Sequence, residues 1–384
     1  MLNPFSYAFH EDPYPTYKRL RDEDPCHHNE ELGFWALTRY TDVLEASRDW
    51  EAFSSADGPM IEKIDRRYFQ VLPMMISLDP PRHDQLRSLV SRVFTPRRIA
   101  ALEDSARAIA AKYLDELVEQ SGGDFVSEFS SLLPMDMIFT LLGVPEEDRL
   151  ELRRLADVGL ERDDNDSGVP ERAIQASAQS TAYWYERAAM LRANRGDDFI
   201  SHLIDADLTD AEVAGFCGLI AAAGTETVTK LLANACVLLA RHPDQRTMLV
   251  NDSSLIPGAV EETLRYWPPS QYQGRTATRD VEKHGRTIPA GDRVIVVTGA
   301  ANRDERAYTD PDRYDILRKP EQQLLSLGHG VHFCLGAALA RLEGRVGIEE
   351  FLRRFGDYEI DESGLQRVHM SNVHGFEHVP FSRQ

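Results

Sequence analysis

The chain has 384 residues, 42% of them hydrophobic and 28% charged, an ordinary globular balance with enough length to bury a large core around a cofactor. Its 43 Lys+Arg against 63 Asp+Glu leave −20 with neutral histidine, and with no Lys/Arg run this speaks against a nucleic-acid or anionic-lipid partner. Its cysteines (Cys26, Cys217, Cys236, Cys334) form no C-x-x-C pair, which points away from zinc-knuckle and thioredoxin-like chemistry and suits a reducing compartment.

The first 50 residues mix short helices with a strand-like Gly33–Thr38 segment. No basic-then-apolar leader opens the chain and no apolar run reaches ~20 residues, so the expectation is a cytoplasmic protein with no membrane insertion. From about Pro81 to Pro268 the pattern is mostly helical, broken by loop signals at Pro134, Gly143–Pro145, Asp163–Pro170, Gly196-Asp197 and His242-Pro243. The helix from Thr209 is the clearest. Thr209-Asp-Ala-Glu212 fits a capping box, Pro243 marks the end, and roughly 33 residues at ~1.5 Å each predict a helix of ~50 Å. It carries no charge between Glu212 and Glu226, the mark of a buried helix.

After Pro268, Arg275–Arg286, Thr287-Ile288 and Arg293–Thr298 read as short strands, with a turn at Pro289–Asp292. An irregular stretch runs from Gly299 to about Gly330. A last helix is expected over 335–355, where Leu335, Leu339, Leu342 and Val346 define one apolar face. The tail closes with strand-like pieces and a turn at Gly375.

The segment Leu327-Gly-His-Gly-Val-His-Phe-Cys334-Leu-Gly336 runs straight into that helix. Glycines let a backbone approach a flat partner, and a cysteine before a helix N-terminus has its thiolate favoured by the dipole and free amides. A thiolate is what a heme iron needs to split dioxygen. A lone buried core cysteine is the bland alternative. The loop resembles the heme-binding signature of the cytochrome P450 family, a phenylalanine followed by G-x-x-x-C-x-G, and the resemblance extends over nearly the whole chain. One departure stands out: Leu327 occupies the place of the phenylalanine that packs beside the thiolate in the family, which should alter the sulfur's surroundings without removing the ligand.

The resemblance implies a mainly α fold with small β-sheets, a single domain over 1–384. Its helix-rich core spans about 81–268 and its β-rich, heme-loop part about 269–384, with a long helix over heme b and the Cys334 loop beneath. Cys334 would ligate the iron, with Gly336 beside the cofactor. In Ala223-Gly-Thr-Glu-Thr227, Gly224 loosens the helix and a Thr hydroxyl competes for carbonyls, together opening a groove for oxygen. Taken alone, Glu226 reads as one half of an ordinary i,i+4 pair with Lys230; with the cysteine loop downstream in the expected order, the resemblance makes it, with Thr227, the family's proton-relaying acid–alcohol pair.

Glu262-Thr-Leu-Arg265 resembles the family's E-x-x-R element, with Arg313 matching the second arginine of its buried network. His83 and Arg87, four residues apart, with Arg275 and His332, match donors to the heme propionates. Implied substrate contacts are Met60, Ile61, Ile64, Tyr68, Phe69, Ala222, Ala223, Gln271, Tyr272, Val296 and Phe376, each weighed against ordinary packing. Tyr183-Trp-Tyr185 reads as core.

The implied reaction puts one oxygen atom of O2 into a hydrophobic small molecule by hydroxylation or epoxidation, in secondary, xenobiotic or lipid metabolism. With no flavin or iron–sulfur signature in the chain, electrons would come from an external ferredoxin and its reductase, docking on Arg341, Arg345, Arg97 and Arg98. Peroxide-driven oxygenation, silent heme or ligand binding, and a heme-free helical protein are the alternatives.

Overall fold

The computed structural model describes residues 2–62, 72–91, 94–194, 199–205, 208–370 and 372–384, without the side chain of His202. The helices that position the site are α1 (Arg82–Ser91), α2 (Glu103–Gln120), α3 (Leu132–Leu141), α4 (Glu146–Leu160), α5 (Glu171–Ala193), α6 (Asp210–Arg241), α7 (Ile256–Tyr266) and α8 (Ala337–Arg354). The expected long helix is α6. Its capping box is formed as read: the Glu212 amide donates to the Thr209 hydroxyl at 3.3 Å, and the Thr209 amide donates to the Glu212 carboxylate at 3.0 Å. Helix α6 is long and apolar enough to cross a membrane, yet its most apolar stretch is 67% buried inside the protein, as befits a core helix.

Small residues set how closely the helices approach α6. A Cβ on Gly224 would sit 2.5 Å from Ile138 Cγ1 of α3, and one on Gly347 of α8 would sit 2.7 Å from Leu232 Cδ2. The expected loosening at Gly224 is therefore corrected. The helix is continuous from Asp210 to Arg241, and the glycine admits Ile138 instead of breaking the ladder. Trp184 of α5 is fully buried, as expected of core, against Gly218.

Strands β1 (Cys26–Asn29), β2 (Phe34–Leu37), β3 (Phe53–Ser54), β4 (Gln273–Ala277) and β5 (Arg293–Val296) form one sheet in the order β1-β2-β5-β4-β3. Only the β2–β5 pair is parallel, with Phe34 opposite Arg293. The sheet thus joins the first 54 residues to the segment 273–296, and a second one ties the C-terminal strand to the helical part, Pro380–Arg383 lying between Gly122–Asp124 and Tyr358–Ile360. The predicted strand Arg275–Arg286 is in fact two pieces, β4 and Val281–Lys283. His284 and Gly285, with φ of 50° and 73°, turn the latter into Arg286–Ile288. Two successive positive φ values are what a tight hairpin demands.

Beneath α8 a buried charge cluster fixes the irregular stretch. Glu262 takes a bidentate pair from Arg265, both contacts 2.8 Å. The expected second arginine is wrong. Arg313 is 69% exposed and among the described residues its guanidinium pairs only with Asp315, at 3.6 Å, whereas Arg318, 11% exposed, contacts Glu262 at 3.2 Å. Between them lies Tyr314, which is buried, and Arg318, five residues after Arg313, reaches α7 while Arg313 points out. The guanidiniums also accept the irregular backbone as partner. Arg265 donates to the carbonyls of Asn302, Pro311 and Arg313, and Arg318 to those of Thr309, Asp310 and Arg313.

Arg318→Leu should lower stability by about 1.5–3 kcal/mol, the worth of hydrogen bonds to a charged group. Arg313→Leu should stay within ~0.5 kcal/mol of the parent, as exposed substitutions do. Urea unfolding midpoints of the two variants provide the comparison.

Candidate active site

Cys334 lies two residues before Gly336, the N-cap of α8, close to where the reading put it. The loop ahead of it is a pair of glycine turns, Gly328 and Gly330 having φ of 69° and 68°. A side chain on Gly330 would strike the Ser47 carbonyl at 2.4 Å, so this glycine is demanded by packing as well as by φ. The Cys334 amide donates to the Leu327 carbonyl at 2.7 Å, which closes the loop with any residue at 327. Leu327 itself is half-buried against the main core.

The loop is held from two sides. From α1, Arg87 donates to the carbonyls of Val331 at 3.0 Å and Phe333 at 2.6 Å. From the charge cluster, Asn302, whose backbone carbonyl accepts from Arg265, donates its side-chain amide to the Ser326 hydroxyl and accepts from the Leu325 amide with its side-chain oxygen. Asn302, Ser326 and Arg318 escaped the sequence reading. A D-x-x-R spacing at Asp315–Arg318 was the available signal for the last.

Burial pushes the Cys334 thiol up, against the pull of the Gly336 amide and of Arg87 and Arg341. Dipole and amides alone therefore do not secure the thiolate expected from sequence. A metal ion would supply the missing positive charge.

Beside the loop stands a cluster of buried donors. His83 is fully buried with its Nε2 unbonded among the described residues, and His332 Nε2 is likewise unbonded. Their rings lie 4.4 Å apart. Arg275 is 6% exposed, and its one hydrogen bond among the described residues goes to the adjacent Gly274 carbonyl. Burial, then Arg293, pushes it down to about 10. Burial, then Arg275, His83 and Arg87, pushes His332 down to about 3. Buried donors without partners and cations crowded by cations are costly, and a bound dianion would relieve both conditions. The donor set fits the two propionates of a heme. Arg87 serves the loop first, with N–H groups left over for an anion.

On α6, Ala223 is exposed in mid-helix and Leu219 and Thr227, one turn either side, are half-buried. This face opens onto space the rest of the helix does not see. Thr227 Oγ1 donates to the Ala223 carbonyl at 2.8 Å. Glu226 points elsewhere and meets Lys230 at 2.7 Å, with both side chains at most 6% exposed. The Glu226–Lys230 pair is thus real, but it is a buried one.

The implied substrate contacts divide. Ala222 and Ala223 border the open face, and Met60 and Ile61 are half-buried. Ile64, Tyr68 and Phe69 lie outside the described residues. Gln271, Tyr272, Val296 and Phe376 are corrected to packing. Gln271 donates to the Pro268 carbonyl and Tyr14, Tyr272 is in the main core, Val296 lies in the sheet core with Leu37, and Phe376 is buried against Trp267 and Arg367. A buried Glu62–Arg162 pair at 2.8 Å, not foreseen, pins Glu62 beside the end of α4.

Comparison with known proteins bears on the same assembly. The family model described as Cytochrome P450 matches residues 175–367. A putative cytochrome P450 123 of Mycobacterium tuberculosis is 44% identical over 100% of this chain and 97% of its own length. CYP109E1 from Bacillus megaterium, solved in complex with testosterone, superposes with a TM-score of 0.92 at 29% identity, covering 98% of this chain and 99% of that one. CYP268A2 of Mycobacterium marinum, solved with pseudoionone, gives 0.91 at 32% identity, covering 100% and 99%. With the family model matched over half of its length, relatives 44% identical over its whole length and the fold in common with these structures, the chain belongs to the cytochrome P450 family, whose members are heme b-binding monooxygenases.

Proposed function

We propose that this protein inserts one oxygen atom of O2 into a hydrophobic small molecule, by hydroxylation or epoxidation, in the cytoplasm, with electrons from a ferredoxin and its reductase. The observation that carries the reading is the conjunction of Cys334, in a loop braced by backbone bonds, with the unbonded Nε2 atoms of His83 and His332 and the buried guanidinium of Arg275, which meets only the adjacent carbonyl among the described residues; His83 uses its other ring nitrogen on Asp84. Bound there, heme would supply the dioxygen chemistry. Cys334 would hold the iron, and the three donors would hold the propionates. The open face at Ala222, Ala223 and Thr227 would admit oxygen and the guest, with Met60 and Ile61 contributing apolar surface. Glu226 would provide protons and Thr227 would order them at the open face. The two side chains leave the helix ~100° apart, so a bridging water would be needed to join them.

The guest is proposed to be mid-sized and largely apolar. Testosterone and pseudoionone in the sites of the two structural relatives are of that kind. Metabolism of lipids, xenobiotics or secondary products fits such a guest. For the electron donor, the candidate arginines separate. Arg341 is paired with Glu261 at 2.5 Å and Arg345 with Glu103 at 2.6 Å, whereas Arg97 and Arg98 are exposed with no ion pair among the described residues. Arg97 and Arg98 are therefore the better docking cations for an acidic ferredoxin.

The test of the reading is the absorbance of reduced protein under carbon monoxide. A red-shifted thiolate band is expected, absent in Cys334→Ala, and colourless folded protein would refute it. Arg275→Leu should release heme to an apomyoglobin trap roughly tenfold faster, corresponding to loss of one charge-assisted contact. Charge reversal of Arg97 and Arg98 together should slow reduction by ferredoxin roughly tenfold at low salt, less at high salt, with the carbon-monoxide band unchanged.

A further inference from the structure

A cavity of about 700 Å³ shares no residue with the donor cluster around Cys334. It lies between residues 11–18, the end of α7 and the two-stranded ribbon of Gln366–Arg367 and Phe376–His378. Four Lys or Arg side chains line it among the described residues, and three are spoken for. Arg241 makes a bidentate pair with Glu362 at 2.8 and 2.6 Å. Arg303 lies 3.6 Å from the ring centres of both Tyr14 and Tyr266, donates twice to the Tyr266 carbonyl and meets Asp312 at 3.4 Å. Lys18 reaches Glu305 at 3.5 Å.

Arg367 is different. It faces Phe376 across the ribbon, with its guanidinium 3.9 Å from that ring's centre and 5.0 Å from that of Trp267. The rings favour its charge, but among the described residues its N–H groups meet no hydrogen-bond acceptor, and Nη1 is shut off from solvent. Burial pushes it down to about 10, which leaves it charged at neutral pH. His374 lines the same cavity and is 4% exposed. Neither of its ring nitrogens is hydrogen-bonded among the described residues, although the His10 main chain is near enough to act on it. Burial, then Arg367, holds the ring well below its usual range, so it is neutral with one N–H to give.

A buried guanidinium and a buried imidazole without acceptors are costly until an acceptor arrives. That acceptor is an anion, and its charge is bounded. Glu11 and Asp12 are exposed on the lining, and Asp312 and Glu362 add two further carboxylates, which repel a dianion more than a monoanion. A carboxylate matches the guanidinium fork, the aromatic walls suit a flat apolar body, and the volume is that of a small-molecule pocket. We propose that this cavity binds an aromatic monocarboxylate, its carboxylate on Arg367 and His374 and its ring beside Trp267 and Tyr266. The site is separate from the one proposed for the oxidised guest and does not rest on it.

The experiment uses the heme-loaded protein with imidazole capping the iron, so that entry to the heme pocket is suppressed. Calorimetric titration compares 2-naphthoate, the neutral 2-naphthalenemethanol and 2-naphthyl phosphate on the parent, Arg367→Met, Arg367→Lys and His374→Phe. Expected is one-to-one binding of 2-naphthoate, about tenfold or more tighter than the alcohol. It should weaken about tenfold or more in Arg367→Met, and less in Arg367→Lys, which keeps the charge without the fork. In His374→Phe the loss should be about threefold. Methionine still covers Phe376 and forfeits no hydrogen bond, so free Arg367→Met should unfold at the parental temperature or above; should it fail to fold, Arg367→Lys and His374→Phe carry the comparison. Equal naphthoate affinity in the parent and the position-367 variants makes the arginine a packing residue and overturns the site, as does no binding to the parent. Tighter binding of the phosphate overturns the monocarboxylate assignment.

Discussion

A buried carboxylate flanked by two guanidiniums governs the cysteine face of this protein. Glu262 is 3% exposed and Arg265 4%, so each depends on the other for solvation the interior does not provide. The arginines have more donors than one carboxylate can absorb, and the surplus goes to carbonyls of residues 302, 309–311 and 313. The stretch between the short helix at Thr298–Ala301 and the cysteine loop has almost no regular structure. Its backbone groups must still be satisfied, and charge does here what a helix or sheet does elsewhere. Through Asn302 and Ser326 the same cluster reaches the loop that presents Cys334.

The site holds one unfinished piece of electrostatics. Around Arg275, His83 and His332 the donors outnumber their acceptors, and an anion would complete them. That arrangement is a poor choice for stability alone and suits a cofactor that comes from outside. Around Glu226 the charge is met within the fold, by Lys230 at 2.7 Å with both side chains out of solvent.

What was legible in the sequence was whatever is encoded locally. The capping box at Thr209, the glycine turns before Cys334, the apolar run of α6 and the i,i+3 pair Glu262–Arg265 all lie within a few residues of one another, where side-chain geometry is fixed by the helix or turn. What was not legible depended on where an irregular chain goes. The family pattern pointed to Arg313 as the partner of Glu262, and the path of the irregular chain puts Arg318 there instead. Gly224 looked like a weak point and proved to be a socket for Ile138, a contact set by α3 some ninety residues earlier. Gln271, Tyr272, Val296 and Phe376 sit in the expected segments but face the cores. In short strands one residue of offset sends a side chain to the opposite face, and the family pattern does not resolve that offset.

The grip of Arg87 on the cysteine loop has a consequence for how this protein tolerates change. Its two contacts fall on the main-chain oxygens of residues 331 and 333, which every amino acid carries. Positions 331 and 333 can drift in composition while this hold on the shape of the loop is inherited intact. Mutational robustness is concentrated in those two positions because intolerance is concentrated in one arginine.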